Sequence, residues 1–146
     1  MSFKKYLNFA LHFFFLLIFF ASAVGKLLDN RGFAEVIGTY QMQLPDYILL
    51  PLALSISLFE GAVFIFLILR RNRQQVALLL ILIHAGYTAL AVMTNLRGLH
   101  LTNCGCFGVF WGRSMTWNTV YEDLILTLLS VVYWKTLPNN RNETQS

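Results

Sequence analysis

The chain has 146 residues, of which 57% are hydrophobic and 12% charged, and its formal net charge is +4. Soluble domains average about 45–50% apolar and about 25% charged residues, so this chain has too few polar side chains to cover the surface of a soluble protein. The composition excludes a disordered tail, a nucleic-acid-binding module and an ordinary cytosolic enzyme. It indicates a membrane protein of one domain.

Four segments are predicted to cross the membrane, because a spanning helix needs about 20 mainly apolar residues. In chain order these segments are 7–28, 47–69, 76–96 and 119–137. The last one qualifies only if Glu122 and Asp123 lie at the membrane interface. The expected fold class is therefore all-α, a four-helix transmembrane bundle over residues 1–137, followed by a polar cytoplasmic tail at 138–146.

The distribution of basic residues predicts how the bundle is oriented, because Lys and Arg accumulate in cytoplasmic loops. Seven basic residues lie on one side and four on the other. The seven are Lys4, Lys5, Arg70, Arg71, Arg73, Lys135 and Arg141. This bias predicts cytoplasmic termini, extracytoplasmic loops at 29–46 and 97–118, and a multi-pass location in the inner (plasma) membrane of the cell. In the first loop, residues 33–40 are expected to form a short interfacial helix.

The N-terminal segment permits a second interpretation. Lys4, Lys5, the apolar run and the small residues at 21–23 resemble a cleaved signal peptide. The apolar stretch is long for such a peptide, and its removal would leave three spans. We therefore keep the segment as the first span.

Cys104 and Cys106 are the two cysteines of the chain and stand one residue apart in the second outer loop. Disulfides persist in an oxidising compartment, and Cα atoms this close in sequence can reach the usual bridging range of about 4.4–6.8 Å. Gly105 permits the unusual dihedral angles of so small a ring. A bridge here gains only about 1.6 kcal/mol from loop entropy. Because strained, exposed disulfides are the labile or catalytic ones, the spacing favours Cys104 and Cys106 as a catalytic redox pair.

Two other interpretations of the pair remain open. The thiols could be reduced and inert, or they could bind copper or zinc with His100 and Met115. The spacing differs from the usual zinc patterns, so we expect no metal site. A reactive thiol also needs a lowered pKa, which positive charge on Arg97, Arg113 or His100 in the same loop could supply.

Glu60 and His84 are ionisable residues inside predicted spans, where such residues are costly and mark function by default. Each lies nine or ten residues from the basic hairpin at 70–75, which corresponds to a depth of about 14–15 Å. The equal depth predicts a Glu60–His84 hydrogen bond, joined by His12 or Tyr87. Its functional interpretation is a proton relay or a pocket for a quinone headgroup, the one cofactor the sequence suggests. Its structural interpretation is a buried bond between spans two and three.

Three stretches of the sequence are similar to signatures of the MauE/DoxX redox-associated membrane proteins. The stretches are Gly25-Lys26-Leu27-Leu28-Asp29 with Phe33-Ala34, Leu44-Pro45 with Glu60-Gly61, and Asn103-Cys104-Gly105-Cys106-Phe107-Gly108 with Trp117-Asn118. The last resembles the methylamine-utilisation MauE branch, and the similarity covers nearly the whole chain. The resemblance implies a four-helix membrane bundle that helps a disulfide-rich periplasmic enzyme subunit to mature, beside a thioredoxin-like partner. It also implies that Cys104 and Cys106 are the redox pair, with Lys26 and Glu60 as motif positions.

The predicted function is therefore thiol–disulfide exchange or maturation of periplasmic proteins by an integral membrane protein. If the protein is an enzyme, it is a thiol–disulfide oxidoreductase that could be linked to quinone. The expected partners are a thioredoxin-like or disulfide-containing periplasmic protein and membrane lipid, with no nucleic acid. The alternatives are a non-catalytic subunit that scaffolds a respiratory or maturation complex, and a metal-handling protein that uses Glu60, His84 and His100.

Overall fold

The computed structural model describes residues 3–137, and the fold of this part is entirely helical, with no strand. Its five helices are α1 (Phe3–Leu28), α2 (Asn30–Thr39), α3 (Asp46–Ile68), α4 (Arg73–Leu96) and α5 (Trp117–Thr136). Helices α1, α3 and α4 are long and apolar enough to cross a membrane. The chain is therefore a multi-pass membrane protein, and the predicted tail at 138–146 lies outside the described residues.

The fourth predicted span corresponds to α5, which has 20 residues. Over residues 3–137, the length and hydropathy required of a span are met by three helices, and α5 is not among them. The fourth span therefore stays a prediction. The two adjacent acids near the start of α5 differ in environment, because Glu122 is exposed and paired with Arg113, whereas Asp123 is buried.

The short helix expected in the first long loop is α2. Asp29 caps its N-terminus, since the Asp29 carboxylate accepts a hydrogen bond from the backbone N–H of Gly32 at 2.9 Å, as a good N-cap residue does. Pro45 then stands directly before α3, where its missing N–H is no loss because the first N–H groups of a helix have no intrahelical partner. The observed helix confirms the prediction for residues 33–40 to within three residues.

Helix α1 packs mainly against α3, and α4 packs mainly against α5, while α2 lies across α3. The side-chain amide of Asn8 near the start of α1 donates to Thr136 Oγ1 at the end of α5 at 2.9 Å. The two long connections meet at the opposite end, where α2 packs against the loop between α4 and α5. This arrangement brings the cysteine-containing loop onto the ends of α1 and α2.

The buried side chains form two apolar clusters, one at each end of the bundle. The first joins α2 to the cysteine loop and includes Phe33, Tyr40 and Cys104. The second joins α1, α3, α4 and α5 near the basic hairpin and includes Phe15 and Tyr133. Of the buried polar residues that lie in neither cluster, Ser22 and Lys26 of α1 and Glu60 of α3 form the candidate site with the cysteine loop.

Candidate functional site

The cysteine pair lies in a short loop whose backbone is bonded on several sides. The Cα atoms of Cys104 and Cys106 are 5.5 Å apart, and their sulfur atoms adjoin each other. Gly105 between them has a φ of +71°, a conformation that glycine adopts without strain. This observation confirms the role expected for Gly105, and the Cα separation is typical of a bridged pair.

Two hydrogen bonds hold Cys104 against its surroundings. Its backbone N–H donates to the carbonyl of Arg113 at 2.7 Å, and its carbonyl accepts from the Tyr40 hydroxyl at 2.6 Å. Cys104 is 6% exposed, whereas Cys106 is half-buried. Cys106 is therefore the more accessible of the two.

A close backbone contact docks the cysteine loop on the end of α1. A Cβ atom at Gly25 would overlap the carbonyl oxygen of Phe107, and one at Gly108 would overlap the carbonyl oxygen of Gly25. Gly108 also has a φ of +75°, so a larger residue there would be strained as well. The glycines of the first and third signature stretches therefore serve one purpose, which is to let two backbones touch.

A buried ion pair lies beneath this contact. Lys26 Nζ donates to both carboxylate oxygens of Glu60, at 2.6 and 2.7 Å, and the two residues are 1% and 2% exposed. The Tyr87 hydroxyl donates to Glu60 Oε1 and accepts from Lys26 Nζ at 3.3 Å. All three ammonium protons of Lys26 are thereby used, which is the condition under which a buried charge is tolerated.

Ser22 connects the ion pair to the cysteine loop. Its hydroxyl lies 2.6 Å from Glu60 Oε2 and 2.7 Å from the carbonyl oxygen of Cys106. A hydroxyl has one proton to donate, so these two acceptors share it. Since Ser22 and Lys26 are four residues apart on α1, they lie on one face of the helix and reach Glu60 together.

Comparisons with known proteins identify the family of the chain. The family model described as methylamine utilisation protein MauE matches residues 4–135. The chain belongs to the MauE family. A methylamine utilization protein MauE from Paracoccus denitrificans is 29% identical over 129 residues, which cover 88% of this chain and 69% of the relative. No solved structure matches.

The predicted Glu60–His84 hydrogen bond is wrong for this MauE family member. His84 Nδ1 lies 2.8 Å from the carbonyl oxygen of Leu80 and 3.0 Å from Ser130 Oγ. Side chains lean towards the N-terminus of their own helix, and α3 and α4 run in opposite directions. Glu60 therefore leans towards the cysteine loop and His84 away from it, although their backbones have similar depth. Tyr87, one turn farther along α4, is the predicted partner that does reach Glu60.

His12, the other residue proposed for that cluster, takes part in a separate contact. Its Nδ1 lies 2.9 Å from the hydroxyl of Tyr133, within the apolar cluster near the basic hairpin. The contact joins α1 to α5 at the end of the bundle remote from the cysteines. His12 therefore belongs to the helix packing and not to the candidate site.

The basic residues of the cysteine loop have other partners. Arg97 donates to the carbonyl oxygens of Tyr40 and Gln41, at 2.9 Å each, and Arg113 pairs with Glu122. His100 is exposed. Within residues 3–137 no group of three His, Cys, Asp or Glu side chains could hold a metal ion, so the metal alternative finds no ligand set there.

Two cavities border the cysteine pair. The larger, of about 320 Å³, lies between α1 and α5 and is lined by Cys106, Glu60 and His84 among others. The smaller, of about 110 Å³, lies under α2 and is lined by both cysteines and Lys26. Asp123 lines both cavities. Glu60 and His84 thus line the same cavity, although no hydrogen bond joins them.

The sequence analysis did not predict that Ser22, Tyr40 and Asp123 belong to the site, and it assigned no role to Lys26. Lys26 stands in the last turn of α1, so a count of residues places it shallower than Glu60. Each side chain leans towards the N-terminus of its own helix, and α1 and α3 run in opposite directions, so the long Lys26 side chain leans towards the basic hairpin, Glu60 leans towards the cysteine loop, and the two meet. The Lys26–Glu60 pair could have been predicted by combining the depth of each backbone position with the direction in which each side chain leans along its helix. For Ser22, Tyr40 and Asp123 the sequence offers no comparable signal.

Proposed function

We propose that this MauE family member carries out thiol–disulfide exchange with extracytoplasmic proteins through Cys104 and Cys106. The observation that carries the proposal is the pairing of two cysteines with Cα atoms 5.5 Å apart, directly above a buried ion pair. In the exchange, two thiols of a client protein reduce the Cys104–Cys106 disulfide and become a disulfide themselves, or the reverse occurs. Two electrons and two protons pass between the pairs, so the reaction balances without another reagent.

The sidedness of the protein supports this proposal. Both long connections lie at one end of the bundle, and the basic hairpin lies at the other. The positive-inside rule assigns the basic end to the cytoplasm and hence the cysteine pair to the oxidising side of an inner membrane. Helix α5 completes the bundle as a fourth span, because 20 residues give about 30 Å of helix, the thickness of the hydrocarbon core.

The surface beside the cysteine pair supports a protein partner. Phe110 and Trp111 in the cysteine loop are 63% and 65% exposed, and exposed apolar groups are frequent at protein contact sites. A thioredoxin-like protein that docks on these side chains would bring its active-site cysteine next to the pair. Family membership further supports a place in methylamine utilisation, as a maturation factor for a disulfide-rich enzyme subunit.

The test is to trap the mixed disulfide that exchange requires. The variant Cys104→Ser leaves the half-buried Cys106 as its one thiol, and Cys106→Ser leaves the buried Cys104. We expect Cys104→Ser to capture a partner in membranes, seen as a reducible adduct on a gel and identified by mass spectrometry, and Cys106→Ser to capture far less. The double variant is the control. If both wild-type cysteines alkylate fully without a reductant and neither single variant captures a partner, the proposal is refuted.

A scaffolding role is the second candidate, and the burial of Cys104 favours it. A cysteine that is 6% exposed and bonded through its backbone N–H and its carbonyl is typical of a structural loop. This candidate predicts that the double variant Cys104→Ser/Cys106→Ser keeps full activity in cells. Loss of activity with unchanged protein abundance in the membrane would favour exchange instead.

A further inference from the structure

The larger cavity places Cys106 next to space reached from the side of the bundle. Its walls are apolar, with Phe14 and Ile18 from α1 and Ile125 and Leu126 from α5. Phe14 and Ile125 are 38% and 55% exposed, so the cavity has its rim on the outer face of the helix pair. A volume of about 320 Å³ falls in the usual range for sites that bind small organic molecules.

The polar side chains that line this cavity are of two kinds. Arg113 and Glu122 are exposed and pair with each other, whereas buried groups beside Cys106 include Glu60, His84 and Asp123. A cavity that is mostly apolar, with a few polar groups at one end, is typical of a cofactor or substrate site. The polar groups identify the end at which a ligand headgroup would bind.

Cys106 lines this cavity, and Cys104 lines the smaller cavity that Cys106 also borders. A molecule in the larger cavity therefore meets Cys106 before Cys104. The hydroxyl of Ser22 on α1 donates to the carbonyl oxygen of Cys106 at 2.7 Å and to Glu60, so the polar groups around Glu60 are next to the redox pair. The cysteine pair can therefore be approached by two routes: by a client protein from the loop surface at Phe110, and by a small molecule from the side of the bundle at Phe14.

We propose that the larger cavity binds a membrane quinone that re-oxidises the reduced Cys104–Cys106 pair, an inference that rests on the proposed exchange function. Oxidation of two thiols breaks two S–H bonds, forms one S–S bond and releases two electrons and two protons. A quinone accepts all four and becomes the quinol, so the reaction balances. An acceptor that enters from the lipid must be apolar and must take electrons and protons together, which is the chemistry of a quinone.

The proposal also sets the direction of electron flow. Electrons pass from the thiols of the client to the Cys104–Cys106 disulfide, and then through Cys106 to the quinone. His84 Nδ1 is hydrogen-bonded to a carbonyl oxygen, so this nitrogen carries the proton and Nε2 is the ring nitrogen left for a quinol hydroxyl. Asp123, which is 8% exposed, provides a carboxyl group on the same cavity wall for proton transfer.

The test uses the full chain in lipid nanodiscs, reduced with dithiothreitol and freed of it, and then mixed with decylubiquinone. The ring carbons of this quinone are fully substituted, so simple thiol addition does not consume it. We expect one quinone to be reduced per protein, with loss of its absorbance and return of the disulfide by alkylation mass analysis. Each single cysteine variant should reduce none.

The variant Leu126→Trp narrows the cavity and is expected to slow quinone reduction at least tenfold. Its matched control is Leu128→Trp, two residues along α5 at a position 58% exposed on the outer surface, which should leave the rate unchanged. Exchange with a client dithiol, measured on the same samples without quinone, shows that each variant is folded. If exchange proceeds but quinone does not oxidise the pair, or if both tryptophan variants react alike, the quinone proposal is wrong. Failure of exchange itself refutes the proposed function instead.

Discussion

Neutralising Glu60 should destabilise the protein because it leaves the Lys26 ammonium buried without a counter-charge. Lys26 is 1% exposed, so water cannot replace the carboxylate. Breaking a buried ion pair by removing one partner costs about 3–5 kcal/mol. We therefore expect Glu60→Gln to lower the free energy of unfolding by about that amount, and Lys26→Met by about 3 kcal/mol, since Ser22 and Tyr87 still donate to the carboxylate.

The double variant Lys26→Met/Glu60→Gln separates pairing from packing. It buries no charge, and replacing a whole buried pair by neutral groups is often neutral or stabilising. We expect it to lose less than either single variant, which gives a coupling free energy of about 3 kcal/mol or more. The exposed acid Glu35 offers a control, and Glu35→Gln should change stability by less than about 0.5 kcal/mol.

The assay is unfolding by increasing mole fractions of sodium dodecyl sulfate in mixed micelles, followed by circular dichroism. Wild type, both single variants, the double variant and Glu35→Gln are measured under the same conditions. If the loss in the double variant equals the sum of the two single losses, Lys26 and Glu60 act independently. That result would refute the reasoning that the pair is held by mutual charge neutralisation.

Three further predictions concern contacts around the site. Gly25→Ala should destabilise the protein by about 1–3 kcal/mol, because the added Cβ overlaps the cysteine loop. Gly61→Ala is the control: no atom lies within 4 Å of its added Cβ, so it should stabilise α3 by up to about 1 kcal/mol. Unfolding in detergent measures both changes. Burial, and secondarily a nearby carboxylate, raises the pKa of Tyr40 to about 12, while an unfolded tyrosine ionises near pH 10. The native state therefore keeps a proton that the unfolded state loses, so stability should fall between about pH 10 and 12, and less in Tyr40→Phe. Equal alkaline loss in both proteins would contradict this. Tyr133→Phe removes the contact with His12 and should lower the free energy of unfolding by about 1–2 kcal/mol. The redox state of the cysteines, measured by alkylation, should not change.

Much of the fold follows from local pattern. The apolar runs and the charges that interrupt them predict the long helices to within a few residues, because the length of a span depends only on the bilayer thickness. The short helix α2 is expected over residues 33–40, and the structure adds its cap, the side chain of Asp29. The glycine between the cysteines is expected to permit unusual dihedral angles, and Gly105 has a φ of +71°.

The partners of the buried polar groups did not follow from depth alone. Counting residues gave Glu60 and His84 the same depth, but the direction in which each side chain leans decided that Glu60 pairs with Lys26 and His84 with Ser130. The direction in which a side chain leans can be inferred from the direction of its helix, which the predicted topology gives. The distance between two helices cannot be inferred in this way. Asp123 and Glu122 are adjacent, and only the rotation of α5 within the bundle buries one and exposes the other.

The sequence by itself determined that this is a helical membrane protein with two cysteines in one loop, because hydropathy, length and spacing act along the chain. The tertiary structure alone decided that the loop rests on Gly25, that Ser22 links Cys106 to Glu60, and that Cys106 borders the larger cavity. These are contacts between segments up to 84 residues apart, and they depend on how the helices rotate and pack, which local pattern does not specify.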